Sequence, residues 1–395
     1  MMKYRRFGKT EIQIPVFSCG GMRYQHKWND VPWSEVPAEN QANLERTIHR
    51  AVELGINHIE TARGYGSSEM QLGPVLSALP REKIIVQTKV SPTENPEDFF
   101  KNFNTSMDYL RLDHVDLFSI HGINTAEILD WTVRKGGCLD AARKLQAEGR
   151  VRHIGFSTHA PEHIITRAIE TGEFDYVNLH WYFVNDFNWP SVLAARRHDM
   201  GVFIISPNDK GGKLYQPPEK VRRLCEPLSP MVFNDLYCLA RPEVHTLSIG
   251  ASKPEDFDEH IAALEFYDRA AETIAPVEKR LRAEMESVLG ADWCNGWWHG
   301  IPDSAEMPNE INPLEILRLW SFAKSLDMVE FGKMRYNLLG NGGHWFPGKN
   351  AAHFDAEKIR ECLAANPFAE RIPAILAEAH ELLKGEEVQR LSASD

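Results

Sequence analysis

The sequence lacks the features that would place it at once in several large classes. No run of 18 apolar residues is present to cross a bilayer, and the opening MMKYRRFGKTEIQIP has no apolar core of a secretory signal. A cytoplasmic protein with no membrane partner is expected. Cysteines are few, six in 395 residues, and Cys19, Cys138, Cys225, Cys238, Cys294 and Cys362 never fall in C-x-x-C spacing, which argues against a disulfide scaffold or a zinc ribbon. Basic side chains are outnumbered, 44 against 56 acidic, and no dense basic stripe offsets the net charge of -12, so no nucleic-acid partner is expected. Internal repeats and low-complexity tracts are also missing. Apolar residues, by contrast, make up 43% of the chain, enough to fill a large core and to exclude global disorder.

The apolar residues are arranged as short β-rich runs, each followed by a helical stretch. The runs are Val16 to Cys19, Asn57 to Glu60, Ile84 to Lys89, Val115 to Ile120, Val151 to Phe156, Tyr176 to Leu179, Val202 to Ile205 and Val244 to Ile249. Nearly continuous apolar strands are what a parallel sheet buried on both faces requires. Eight such alternations predict an α/β fold, a (β/α)8 barrel, over residues 1–270. Between strands, Asn40 to Leu54 places Leu44, Ile48, Ala51 and Val52 on one helical face before a stop at Gly55. Ahead of the first strand, RRFGKTEIQIP reads as a hairpin turning at Gly8 that closes the barrel bottom. Beyond residue 270 only helical periodicities remain, over Ala270 to Leu289, Leu314 to Leu326, Met328 to Leu339, Ala356 to Ala365 and Ala374 to Leu383, so 271–395 is expected to be a helical appendage.

Four ionisable groups follow successive strands: Glu60 and Tyr65 after the second, Lys89 after the third and His121 after the fourth. Chemistry in such barrels lies at the C-terminal strand ends, so these groups should meet at one mouth. A tyrosine with its ordinary pKa near ~10 gives up a proton poorly at neutrality; a lysine beside it lowers that value, and a carboxylate aims the lysine. Together with His121 they describe a proton relay serving a carbonyl oxygen. Each residue also has an ordinary reading, a solvated lysine, a packed histidine or a turn tyrosine. It is their succession on consecutive strands that points to chemistry.

The runs GINHIETARGYGSSE, VQTKV and LFSIHGIN resemble, in order and spacing, the signature stretches of the aldo-keto reductases over about residues 1–265. The resemblance implies NAD(P)H-dependent reduction of an aldehyde or ketone on a (β/α)8 barrel. Tyr65 would be the general acid, Lys89 its partner and His121 the substrate-orienting group, with Glu60 where the family usually has aspartate. By the same resemblance the cofactor side would be formed by Met22, Ser157, Thr158 and Asn178, by Ser206 and Asn208 in IISPNDKGGKL, and by Gly250, Ala251, Ser252, Lys253, Glu259 and His260 after the eighth strand. Ile205 stands at the place of a stacking aromatic, and Asp256 where an arginine commonly meets a 2′-phosphate. Backbone N–H groups at that helix start and the Lys253 charge favour an anion. NADPH is therefore the expected cofactor, with NADH open. Gly64-Tyr65-Gly66 is too short for a dinucleotide fingerprint.

A second resemblance covers EINPLEILRLWSFAKSLDMVEFGKMRYNLLGNGGHWFPG and RIPAILAEAHELL, which look like the helical domain of aldo-keto reductases that carry ferredoxin-type cysteines. With Pro308 and Pro367 at the motif proline, the ligand places read Trp297, Gly300, Asp303 and Met307, then Ala356, Ile359, Cys362 and Asn366. A single thiol cannot hold a cluster, so no iron–sulfur cluster or other metal is expected, and packing through Trp293, Trp297 and Trp298 should take its place. The protein partner of this domain is not legible. Trp28, Trp181 and Tyr182 are candidates to line an apolar substrate pocket. A non-catalytic NAD(P)H-binding interaction module stands as the alternative to a reductase. A metal-dependent barrel enzyme is weaker, because His121 has no ligand partner at metal spacing.

Overall fold

The computed structural model describes residues 1–393. The chain forms two compact units, one from Met1–Gly211 and Asn234–Ala270, the other from Gly212–Phe233 and Ala271–Arg390.

The first unit opens with a hairpin of β1 (Tyr4–Arg6) and β2 (Gln13–Pro15), paired antiparallel with Tyr4 opposite Pro15 and Arg6 opposite Gln13. Its turn depends on Gly8, whose φ of +54° is in the left-handed region and where a Cβ would come 2.4 Å from the Asp199 carbonyl oxygen. Eight further strands follow, β3 (Phe17–Gly20), β4 (His58–Glu60), β5 (Ile85–Val90), β6 (Val115–His121), β7 (Val151–Ser157), β8 (Tyr176–Leu179), β9 (Gly201–Ile204) and β10 (Thr246–Ile249). They close in sequence order, β10 returning to β3, with every neighbouring pair parallel. This is the expected (β/α)8 barrel. The strands are buried on both faces, as β6 shows with all seven residues covered.

Helices α1 (Ala38–Glu53), α2 (Ser68–Ala78), α3 (Pro96–Leu110), α4 (Ala126–Val133), α5 (Cys138–Ala147), α6 (Glu162–Glu170) and α7 (Trp189–Arg197) intervene between strands. In α1 the buried face carries Leu44, Ile48 and Ala51, as the periodicity requires. The barrel floor is plugged by the hairpin: Phe7 and Ile14 pack with Leu117, Tyr176 and Phe203, all fully buried. Above this plug the interior is polar. Ser18 Oγ lies 2.6 Å from His58 Nδ1 and 2.7 Å from Thr246 Oγ1, while Gln87 Nε2 donates to Ser119 Oγ at 2.9 Å and Ser119 Oγ to Tyr176 Oη at 3.0 Å. A belt of hydrogen bonds thus replaces the branched apolar layer common in such barrels.

Three helices follow β9 in chain order: α8 (Glu219–Cys225), α9 (Pro230–Leu239) and, after β10, α10 (Asp258–Ala263). Among the described residues no strand follows β10, and the second unit continues with α11 (Ala270–Leu289), α12 (Ala291–Cys294), α13 (Pro313–Leu326), α14 (Val329–Tyr336), α15 (Ala356–Cys362) and α16 (Ile372–Leu383). Within it α8 is tied to α11 by the Arg280 guanidinium on the Leu224 carbonyl at 2.9 Å and by Lys220 against Glu284 at 3.2 Å. The aromatic residues do pack together: Trp293 stacks on Trp297 with centroids 6.1 Å apart, meets Trp320 and Phe368 edge-on, and donates its indole N–H to Ser321 Oγ at 3.0 Å. Asn366, at the last of the eight motif places, donates to the carbonyls of Trp297 (2.8 Å) and His299 (2.7 Å). The two motif runs are therefore tied by an amide. Among the described residues no group of three or more His, Cys, Asp or Glu side chains could hold a metal, and no helix is long and apolar enough to cross a membrane.

Candidate active site

Glu60 ends β4, Lys89 is the next-to-last residue of β5 and His121 ends β6, so the parallel registers bring all three to one end of the barrel. Past β4 the pairing with β5 continues irregularly, Thr61 N–H donating to the Gln87 carbonyl at 2.9 Å and Arg63 N–H to that of Lys89 at 2.8 Å. This carries the TARGYG turn over Lys89. The turn needs Gly66, with φ of +54°, because a Cβ there would lie 2.1 Å from the Lys27 carbonyl oxygen. Tyr65 is the result: its ring centroid is 4.8 Å from Lys89 Nζ and 5.7 Å from that of His121, whose plane meets it at 83°. The four catalytic candidates are thus neighbours, although 61 residues of sequence separate Glu60 from His121.

Glu60 and Lys89 are almost completely buried, 2% and 1% exposed. The carboxylate of Glu60 lies against the Lys89 ammonium, Lys89 Nζ also donates to the Thr61 carbonyl at 2.8 Å, and Ser248 Oγ donates to Glu60 Oε2 at 3.2 Å. Burial drives the Lys89 ammonium well below the ordinary lysine range, and the adjoining carboxylate opposes that loss of charge. The neighbouring His58 is pushed down to about 3, first by burial and then by the Lys89 charge, so its imidazole is neutral at physiological pH. The longer glutamate therefore reaches the lysine. Ser248, on β10, was not singled out from sequence; its signal is its position two residues before Gly250 on an inward-facing strand.

On the other arc of the same rim, Ser157 ends β7, is buried, and its Oγ accepts from Gly122 N–H at 3.2 Å. Thr158 uses its hydroxyl on the backbone, donating to the Ile123 carbonyl at 2.7 Å and accepting from Ala160 N–H at 3.0 Å. Asn178, on β8, is fully buried, and neither its Oδ1 nor its Nδ2 has a hydrogen-bond partner among the described residues. Met22 is half-buried in the loop after β3, and Ser206 follows β9 with φ of +53°. Asn208 Nδ2 lies 2.9 Å from His260 Nε2, and His260 Nδ1 lies 2.5 Å from Asp235 Oδ2, leaving both ring nitrogens of the buried His260 partnered within the chain. Asn208 Oδ1 is a buried acceptor with no partner among the described residues.

After β10, Gly250, Ser252, Lys253 and Glu259 are exposed and Ala251 is buried. The donors expected to hold an anion are occupied: Ser252 N–H and Oγ both donate to Asp256 Oδ2 at 2.8 Å, and Lys253 N–H does so at 3.3 Å. Of the aromatic pocket candidates, Trp28 meets the Tyr65 ring edge-on at 6.2 Å, whereas Trp181 and Tyr182 are buried, Trp181 stacked on Tyr237 at 5.0 Å.

A family model described as the aldo/keto reductase family matches residues 17–206. L-galactose dehydrogenase of Arabidopsis thaliana is 30% identical over 333 residues, spanning 75% of this chain and 98% of that protein. The chain belongs to the aldo/keto reductase family. It is an oxidoreductase by that membership. The solved aldo-keto reductase of Bacillus halodurans in its holo form has the same fold, with a TM-score of 0.60 at 21% identity over 71% of this chain and 96% of that one. An NADH-specific methylglyoxal reductase of Escherichia coli is 27% identical over 188 residues, 42% of this chain and 56% of that protein.

Aldo/keto reductases take a nicotinamide cofactor, and the residues of this one fit its ring. A carboxamide needs a paired donor and acceptor, and Asn178 holds one of each, buried and without partners among the described residues, at the rim that carries Tyr65. A buried amide left so would cost about 1–3 kcal/mol per missing bond, which a ligand amide would recover.

Proposed function

We propose that this aldo/keto reductase moves a hydride between NAD(P)H and the carbonyl carbon of an aldehyde or ketone, with Tyr65 as the general acid. One observation carries the reading: a phenol, a buried lysine and an imidazole converge on the rim that also holds the unpartnered carboxamide of Asn178. Ser157 and Asn178 would hold the nicotinamide amide, and Ser206, Asn208 and the loop from Gly250 to Lys253 the rest of the nucleotide. When bound, the nicotinamide supplies the hydride. Tyr65 delivers the proton to the carbonyl oxygen, His121 orients that oxygen, and Lys89, kept charged by Glu60, stabilises the phenolate left behind. The six unpaired cysteines, four of them buried, suit a reducing, cytoplasmic setting.

The cofactor's 2′-position turns on Asp256. The charge of Lys253 favours NADPH, while the Asp256 carboxylate already fills the local backbone donors and would repel a 2′-phosphate, so NADH is accepted too. The name of the NADH-specific relative bears on the same choice. The test is loss of reduced-nicotinamide absorbance with a panel of aldehydes and ketones, using NADPH and NADH in turn. Carbonyl-dependent oxidation is expected. Tight nucleotide binding with no oxidation by any carbonyl would leave a non-catalytic nucleotide-binding module instead.

A further inference from the structure

One buried carboxylate beside the rim takes no part in the steps above. Glu69 lies in the first turn of α2, four residues past Tyr65, and is completely covered. Its Oε2 accepts from Arg63 Nη1 at 2.7 Å, and its Oε1 accepts from the hydroxyl of Thr88 at 2.5 Å. Arg63 stands two residues before Tyr65, and Thr88 stands immediately before Lys89 on β5. A single side chain therefore joins the two ends of the turn that carries the phenol, and joins that turn to the strand that carries the ammonium.

The turn has need of such a closure. Tyr65 is flanked by Gly64 and Gly66, the residue type with the widest choice of backbone conformation, so the phenol sits where the chain is least constrained by its own sterics. A Cβ added at Gly64 would meet only the His121 ring, at 3.9 Å, so packing leaves that side open. The Arg63 N–H on the Lys89 carbonyl fixes the entry to the turn, and Thr61 Oγ1 lies 2.8 Å from Ser68 Oγ across its base. The exit, at Glu69, is tied to β5 through the Thr88 hydroxyl. Arg63 is itself held from two further sides, by the Asp30 carboxylate in the loop after β3 and by the Tyr109 ring of α3, whose centroid is 4.8 Å from the guanidinium carbon. The bridge survives a change of charge. Burial raises the pKa of the Glu69 carboxyl, and the Arg63 charge opposes that rise. Ionised, both oxygens accept; protonated, one oxygen still accepts from Arg63 while the other donates to Thr88.

We propose that Glu69, acting through Arg63 and Thr88, is a positioning residue for carbonyl reduction: it clasps the turn 63–69 and holds the Tyr65 phenol in its place beside the Lys89 ammonium. This deepens the reductase reading and rests on it, and it gives Glu69 no contact with substrate or nucleotide. Placement matters because a reacting group displaced by about 1 Å can cost about 10²-fold in rate. Loss of the clasp should therefore appear in kcat and leave binding as it was.

Three variants test it, with 4-nitrobenzaldehyde and NADPH as probes and rates counted per nucleotide-binding molecule. Glu69→Ala should lower kcat about 10²-fold and leave the KM of each probe within about twofold. Glu69→Gln, whose amide can accept from Arg63 and donate to the Thr88 hydroxyl, should bring kcat back to within about fivefold of the unaltered protein. Should Glu69→Ala fail to fold, Thr88→Val keeps the ion pair and the side-chain shape, cuts only the link to β5, and should lower kcat about tenfold, the scale of one hydrogen bond to a charged group. An unchanged kcat in Thr88→Val, a loss in Glu69→Gln as deep as that in Glu69→Ala, or a loss joined to a rise in nucleotide KM would overturn the proposal. Hydrogen exchange does not depend on turnover: amides of residues 63–68, followed by mass spectrometry, should exchange faster in Glu69→Ala and Thr88→Val and stay slow in Glu69→Gln, and equal exchange in all of them overturns the clasp. Faster exchange in a protein that reduces no carbonyl would sink the reductase reading and keep the clasp; carbonyl reduction that none of the variants alters would do the reverse.

Discussion

The two ends of the barrel are made of opposite materials. The floor is a plug of Phe7, Ile14, Leu117, Tyr176 and Phe203, all apolar or aromatic and fully buried, held in place by a hairpin that turns on one glycine. The mouth buries an ammonium and a carboxylate, His121 at 8% exposure, and a carboxamide with no hydrogen-bond partner among the described residues. The first arrangement gains from removal of apolar surface from water; the second carries desolvation costs that Coulomb attraction only partly offsets. The difference fits a division of labour: residues at the floor stabilise, and residues at the mouth would be kept at a cost in stability for the chemistry proposed for them.

The sharpest way to break this division is at Lys89. Lys89→Met combined with Glu60→Gln should reduce turnover by about 10³-fold, within the range of proton-transfer catalysis, while urea unfolding shows stability kept or raised, because a buried ion pair has been replaced by neutral groups. A double variant that unfolds readily and still turns over per folded molecule would reverse the comparison. The converse change is Phe7→Ala, which should cost about 3–5 kcal/mol of stability and leave kcat per folded molecule unaltered. Chemical denaturation and active-site titration on the same sample measure both.

Between floor and mouth lies His58, and its titration gives the comparison a pH dependence. Its folded pKa, about 3, lies below its ordinary value of 6.5, so the unfolded chain binds the extra proton between these values. Stability from this group is complete above about pH 6.5 and is lost as pH falls toward 3, at most about 1.4 kcal/mol per pH unit. His58→Gln should flatten that acid limb in unfolding curves collected from pH 7 downward; an unchanged slope would mean that His58 is not the group responsible. A smaller effect is expected at Asp256, where Asp256→Asn should shift the ratio of kcat/KM for NADPH over NADH upward by about tenfold or less, since the site is solvent-screened.

Much of this arrangement was legible in the sequence because it rests on local pattern. Apolar runs give the strands, the 3.6-residue period gives α1 with Leu44, Ile48 and Ala51 inward, and Gly8 between two extended runs gives the hairpin. The order Glu60, Tyr65, Lys89, His121 on successive strands was enough to expect a shared rim. What escaped depends on partners far along the chain. That Glu60 reaches Lys89 is supported by Ser248 on β10, 188 residues away, and the polar belt of His58, Ser18 and Thr246 exists only once the barrel closes. That Asp256 caps the backbone of Ser252 and Lys253 is set by loop geometry, which residue spacing does not specify.

The most direct test of the central claim is Tyr65→Phe, studied for turnover and for nucleotide affinity side by side. Removing only the hydroxyl should abolish carbonyl reduction while the dissociation constant for the reduced nucleotide, followed by its fluorescence, stays that of the unaltered protein. Reduction at an undiminished rate would contradict the account, because the proton would then come from somewhere other than the phenol beside Lys89.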